Sequence, residues 1–356
     1  MKKKLALLMV AALMAGVVGC GGGQQQAAPA QEAPAEEAAE EEAPAEEAAE
    51  GAEAAGDAAG LKVGICLPAR DQYWTTFETG IISQAEAQGI ETQTVVADED
   101  FSKQVSQIQT FANNGFDAII LGITDASSYQ EALDASGDMK VVFFNRALTD
   151  MSVLDGEKCV YVGMSEYDAG VAQGEWLSNY FKEQGKTELN GVLFMGVLGQ
   201  ESVSNRTAGA KETLEKNGFT VTWGLDDTAN WDRTEAMNKF TQYQGSGAEI
   251  DLVVCNNDEM ALGVIEAITA AGKEVDIPVV GIDATETGCM AVKEGNMAMT
   301  VNQNPHFQGT EALACAAGLV NGSLPASVDS ATNIDSTPAD AITPDNVDEV
   351  LAGYGH

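Results

Sequence analysis

The sequence predicts an α/β protein built from two doubly wound units of parallel sheet. From Leu61 onward, short runs rich in Val and Ile alternate with longer stretches of helical period. These runs are apolar throughout rather than at every second residue. Both faces of each strand are therefore covered, as in parallel sheets flanked by helices. About ten such strand–helix units exceed what one sheet usually holds, so two sheets of about five strands fit the 356 residues better.

The chain before Leu61 is of another kind. Met1-Lys2-Lys3-Lys4 is a cationic start, and Leu5 to Val18 is an apolar stretch of 14 residues. That is short of the roughly 20 residues a membrane-spanning helix needs, and it reads as a secretory signal over residues 1–19. The stretch ends Val17-Val18-Gly19-Cys20, which resembles the lipobox of bacterial lipoproteins. The resemblance implies a lipid on the Cys20 sulfur and cleavage before it, giving a membrane anchor outside the cytoplasm. Residues 20–60 read as a disordered acidic linker. QEAPAEEAAE from Gln31 is followed by EEAPAEEAAE from Glu41, and the Pro and dense Glu oppose packing.

The charge excludes several classes. Lys and Arg total 18 against 55 Asp and Glu, a net charge of -37. With 11 acidic and three basic residues in the first 60 positions, the rest keeps 44 acidic against 15 basic. Nucleic acid and strongly anionic ligands are repelled by such a chain. Two His leave little room for His-based catalysis or a multi-His metal site, and none of the six Cys forms a C-x-x-C pair. Neither a metal nor a cofactor is expected. Most Cys lie in apolar runs such as Val253-Val254-Cys255, where the thiol is a small buried hydrophobe.

The expected strands are Leu61–Leu67, Thr92–Val96, Ala118–Leu121, Val141–Phe144, Val160–Val162, Gly191–Phe194, Thr220–Trp223, Leu252–Cys255, Val279–Gly281 and Ala298–Val301. Between them lie helical stretches, among them Ser102–Asn113, Val203–Asn217, Asp258–Ala271 and Phe307–Val320. Ligands of open parallel sheets bind beyond the carboxyl ends of the strands. The residues that follow the strands are therefore the candidates. They are Asp71, Gln72 and Trp74; Asn145 and Arg146; Gln200, Ser202 and Arg206 in and after the Gly196–Ser204 loop; Asn230, Trp231 and Asp232; Asn257; Asp283; and Gln303.

Planar polar groups dominate this set, with two Trp. Asp accepts two hydroxyl protons, and Asn and Arg grip adjacent hydroxyls in a fixed plane. An indole face covers the C–H patch of a sugar ring. The inventory suits a neutral sugar better than a nucleotide. Each position also has a local alternative. Asp258 reads as the N-cap of a helix beginning at Glu259, Asn230 as the cap of one beginning at Trp231, and Asp283 as a cap of the turn into Thr285–Glu294. Trp74 and Trp231 could be core, and the arginines could be surface partners of carboxylates.

Four segments, VVFFNR from Val141, NDEMALG from Asn257, VVGID from Val279 and TVNQNP from Thr300, resemble the sugar-binding branch of the type I periplasmic-binding-protein family. The likeness runs from Leu61 to about Asn321, with galactose/glucose- and ribose-binding proteins most similar. It implies two lobes closing on a monosaccharide, over 61–163 plus 304–330 and 164–303 plus 331–356. The hinge crossings are then expected near Gly163–Ser165, Asn302–Asn304 and Val328–Ala331. It also implies that Trp74 and Trp231 sandwich the ring, that Asn145 and Arg146 hold hydroxyls from one lobe, and that Arg206, Asn257, Asp283 and Gln303 hold them from the other. Departures argue against galactose in particular. Gln200 and Ser202 stand at His and Asp positions, Gln72 at an Asp, Gly122 at a frequent Asn, and the galactose binders' calcium loop is missing.

The implied function is a monomeric receptor, tethered by lipid, that delivers sugar to an ABC permease. A chemotaxis or kinase sensor, or a binder of a furanone or nucleoside, would use the same fold. A glycoside hydrolase acting through Asp71 and Asp283 is disfavoured on the expectation that Arg146 and Arg206 hold both carboxylates ionised.

Overall fold

The computed structural model describes residues 58–356. The signal sequence, Cys20 and nearly all of the linker lie outside the described residues. The first half runs β1 (Lys62–Leu67), α1 (Gln72–Gln88), β2 (Glu91–Val96), α2 (Phe101–Asn113), β3 (Ala118–Leu121), α3 (Tyr129–Ala135), β4 (Lys140–Phe144) and β5 (Cys159–Gly163). Next come α4 (Glu166–Gln184), β6 (Glu188–Met195), α5 (Glu201–Lys216), β7 (Thr220–Thr228), α6 (Arg233–Gly245), β8 (Leu252–Cys255), α7 (Asp258–Ala270), β9 (Val279–Val280), α8 (Glu286–Lys293) and β10 (Thr300–Val301). The chain ends with α9 (Pro305–Asn321), β11 (Val328–Asp329), β12 (Ile334–Ser336), β13 (Ala341–Ile342) and α10 (Val347–Gly353).

One sheet has seven strands in the order β11-β12-β5-β4-β3-β1-β2, and another has four in the order β7-β6-β8-β9. All pairings within them are parallel except β11 with β12. β10 continues the four-stranded sheet through the Val280–Met299 bridge, and β13 pairs antiparallel to β10.

The apolar runs split between two faces as expected of covered strands. In β4, Val142 and Phe144 join the core under α1 and α9, while Val141 and Phe143 join the core beneath α2 and α3. In β8, Val253 and Cys255 pack on one side and Leu252 and Val254 on the other. The five described Cys are all buried and free, in keeping with their apolar neighbours.

The ten expected strands are all present, but the sheets are not of equal size. The added strands lie in the tail, which the two-sheet count passed over. β12 pairs with β5 in the register Ile334 to Tyr161, so it belongs to the seven-stranded sheet. Val328–Ala331, where the third crossing was expected, therefore covers β11 and the start of its connection to β12 in the same sheet. Short strands with exposed or charged residues, such as Ile334-Asp335-Ser336, carry too little apolar signal to be read. β7 also runs five residues past Trp223, because an edge strand with alternating exposure accommodates polar Asp226 and Asp227.

Candidate functional site

Helix starts and strand ends converge on one cavity of about 340 Å³. It lies beyond the carboxyl ends of β1, β4, β6, β8 and β9, where parallel α/β sheets place ligands. Its wall includes Asp71, Trp74, Asn145, Arg146, Gln200, Ser202, Arg206, Trp231, Asn257, Asp283 and Gln303. Of the fourteen expected positions, only Gln72 is outside this lining. Its amide instead bridges to α8. Nε2 donates to Thr287 Oγ1 at 2.8 Å, and that hydroxyl donates to Gln72 Oε1 at 3.1 Å.

Several wall residues hold unusual backbone angles. Asn145, Asn230, Trp231 and Asp283 have φ of 62°, 54°, 66° and 130°. Asn tolerates such values, but for Trp and Asp they are strained, and strain of this kind collects where a side chain must be aimed.

The two tryptophans are seated differently. Trp74 is 5% exposed and meets Phe144 edge-on at 5.5 Å, so it is core and cavity wall at once. Its ring edge lies against Gly122, where a Cβ would come within 3.1 Å of it and 2.7 Å of Pro68. The position that the family resemblance marks for an Asn is thus occupied by indole packing. Trp231 lies over Gly196, whose absent Cβ would fall 2.0 Å from Cε2. Its Nε1 donates to Gln200 Oε1 at 2.9 Å, and the Arg206 guanidinium stands 5.6 Å from its ring centroid.

Arg206 is the centre of the polar wall. It is 4% exposed; Nε donates to Glu166, Nη1 donates to the Asn256 carbonyl at 2.7 Å, and Nη2 donates to Gln303 Oε1 at 3.3 Å. Asp283 lies 3.7 Å from Nη1. Burial alone would lower the guanidinium's affinity for its proton, but Glu166 and Asp283 reverse this and raise it. Gln303 is 1% exposed, and its Nε2 has no partner among the described residues. Arg146, by contrast, is held by a bidentate pair to Glu99 at 2.8 and 2.6 Å.

Three helix-cap expectations are corrected. Asn257 caps α7 by accepting from Met260 N at 3.0 Å, Asp232 caps α6, and Thr285 caps α8. Asp258 is instead wholly buried. It accepts from Thr300 Oγ1 at 2.6 Å and from Thr285 N and Oγ1 at 2.9 and 3.0 Å. Arg146 and Arg206 pull the Asp71 and Asp283 carboxyls down, as expected, but burial outweighs them at both. Burial raises Asp283 well above the carboxylate range against the pull of Arg206, with neighbouring Asp258 adding to it. Enclosure by the cleft likewise raises Asp71.

Burial also pushes Asp258 up to about 7, although Thr300 and Thr285 oppose it. A folded pKa above the unfolded value near ~3.9 stabilises fully below that value and is lost as pH rises through about 7. The protein is therefore expected to melt a few degrees higher at about pH 5.5 than at about pH 8, measured by calorimetry. A lower melting temperature at the more acidic pH would contradict the assignment.

The strand-end list missed Arg70 and Glu99, and Tyr73, in the run Asp71-Gln72-Tyr73-Trp74 after the first strand, was not singled out. Glu99 follows β2, whose end was not inspected; the same rule applied there finds it. Tyr73 stands among the residues that follow the first strand, so the strand-end rule reaches it. Its hydroxyl donates to Gln308 at 2.9 Å and accepts from Asn145 Nδ2 at 3.2 Å. Glu166 was also missed, although it follows β5 just as Asp71 follows β1, and the same rule applied there finds it. Among the described residues no group of His, Cys, Asp and Glu is arranged to hold a metal.

Residues 63–324 match the sequence family described as periplasmic binding protein domain. The chain is 33% identical over 259 residues to a putative rhizopine-binding protein of Rhizobium meliloti, covering 71% of this chain and 82% of the relative. It is 32% identical over 307 residues to a xylitol-binding protein of Mycolicibacterium smegmatis, covering 83% and 82%. Its fold is similar, with TM-score 0.72 and 31% identity, to an ABC transporter solute-binding protein of Bacillus halodurans C-125 with bound myo-inositol. That match covers 84% of this chain and all of the solved one.

Proposed function

The chain belongs to the periplasmic binding protein family, and on that footing we propose that it is the extracytoplasmic receptor of an ABC-type sugar importer. The family consists of substrate-binding proteins of transporters, not enzymes. The ligand is a neutral monosaccharide or a closely similar polyol ring, held between lobes of residues 61–163 plus 304–336 and 164–303 plus 337–356. The observation that carries the reading is the cavity itself. Two indoles and a set of planar hydrogen-bonding groups line it, and buried Gln303 Nε2 is left without a partner among the described residues. A ring with hydroxyls round its equator and C–H patches on its faces meets both requirements. The arginine–carboxylate network supports the same view, since it holds the donors of Arg206 in place before a ligand arrives.

Closure follows from the three crossings, near Gly163–Ser165, Asn302–Asn304 and after Ser336. The paired hydrogen bonds between Gln72 and Thr287 join helices that follow strands of the two different sheets, and they fit a closed arrangement. The test is intrinsic tryptophan fluorescence of the protein, titrated with galactose, glucose, ribose, xylose, arabinose, fucose and myo-inositol. A saturable shift with one of them and not its epimers is expected. No response to any member, with unchanged thermal stability, would sink the sugar reading and leave a furanone or nucleoside as the ligand.

We further propose that Cys20 carries the lipid anchor, that the acidic linker tethers a monomeric receptor near its permease, and that transport rather than sensing is its role. Cys20→Ser is expected to move the protein from the membrane fraction to the soluble one. Retention in membranes would refute the anchor.

A further inference from the structure

The ring seat is not the end of the cleft. A second cavity of about 350 Å³ shares Asn145, Arg146, Gln200 and Ser202 with the first. The two spaces have those four side chains as a common wall, and each alone reaches the ~300 Å³ at which ligand pockets begin. A substituent that leaves a seated ring on the side of those four residues is directed toward the second space.

The chemistry of this second space differs from that of the seat. It has no aromatic side chain, and its wall carries the hydroxyls of Thr124, Ser127 and Thr149. Its two carboxylates are already engaged. Asp125 accepts from Ser127 N, Ser127 Oγ and Ser128 Oγ, and Glu201 accepts from Asn205 Nδ2. The Thr124 and Ser127 hydroxyls donate locally but keep lone pairs to offer. The space thus presents hydroxyls beside two hydrogen-bonded carboxylates, and its one cation, Arg146, is paired with Glu99.

We propose that this second cavity is a subsite for a neutral, hydroxyl-bearing substituent on the bound ring, so that the receptor also accepts O-glycosides or disaccharides. The proposal rests on the sugar reading above. Calorimetric titration would compare galactose with methyl β-galactoside and lactose, glucose with cellobiose and maltose, and myo-inositol with galactosyl-inositol. At least one substituted probe is expected to bind within about tenfold of its parent ring. Thr149→Trp should weaken that probe at least about tenfold more than the ring, and Ser127→Trp serves if the first variant folds poorly. Binding of a parent ring with exclusion of all its substituted partners would overturn the subsite alone. So would equal weakening of ring and substituted probe by the tryptophan. Failure of every ring would overturn the sugar reading and the subsite with it.

Discussion

Arg206→Ala is expected to destabilise the fold by about 3–5 kcal/mol and to abolish tight ligand binding, because it leaves two buried carboxylates without their cation. Glu166 and Asp283 are each 4% exposed, and the guanidinium is the group that both face. Removing it also deprives the Asn256 carbonyl of its donor and Gln303 Oε1 of its partner. Asp283 would answer by holding its proton more tightly, which softens the loss without restoring the network. Chemical denaturation of wild type, Arg206→Ala and the pair Arg206→Met with Glu166→Gln measures the effect. The double variant should recover part of the stability while still failing to bind. An Arg206→Ala midpoint equal to wild type would show that the cluster does not hold the site together.

Trp231→Ala is expected to weaken sugar binding by about 1–3 kcal/mol through lost ring contact, with a much smaller effect on stability. The indole is half-buried, lies across Gly196 and is fixed at one end by Gln200. Its removal opens the seat on one side and uncovers only the part of the core that this half-buried ring covers. Trp231→Phe should lose less, since it keeps an aromatic face and gives up only the bond to Gln200. The titration that identifies the ligand measures both variants, and an unchanged affinity in Trp231→Ala would remove this side chain from the site.

Much of the site could be read from the chain because a parallel sheet leaves few places for a ligand. The apolar runs mark the strands, and the polar residues just past each run fall at one edge by topology alone. Asn145 after β4, Asn257 after β8 and Asp283 after β9 were legible for this reason. The same logic failed wherever a contact depends on the distance between elements far apart in sequence. Asp258 looks like an ordinary cap, and only the packing of α7 against the Thr285 and Thr300 segments turns it into a buried acceptor. Gln72 follows a strand as a ligand residue would, yet the approach of α8 engages it with Thr287 instead.

Local pattern, then, determined the fold class, the strand ends and the chemical character of the site, since hydrophobic period and residue type act within a few neighbours. Tertiary structure decided the unequal sheets, the place of β12 in the larger one, the raised proton affinity of Asp283 and the pairing of Glu166 with Arg206. Burial and Coulomb interaction depend on which side chains meet across hundreds of residues, and the spacing of residues along the chain does not encode those distances.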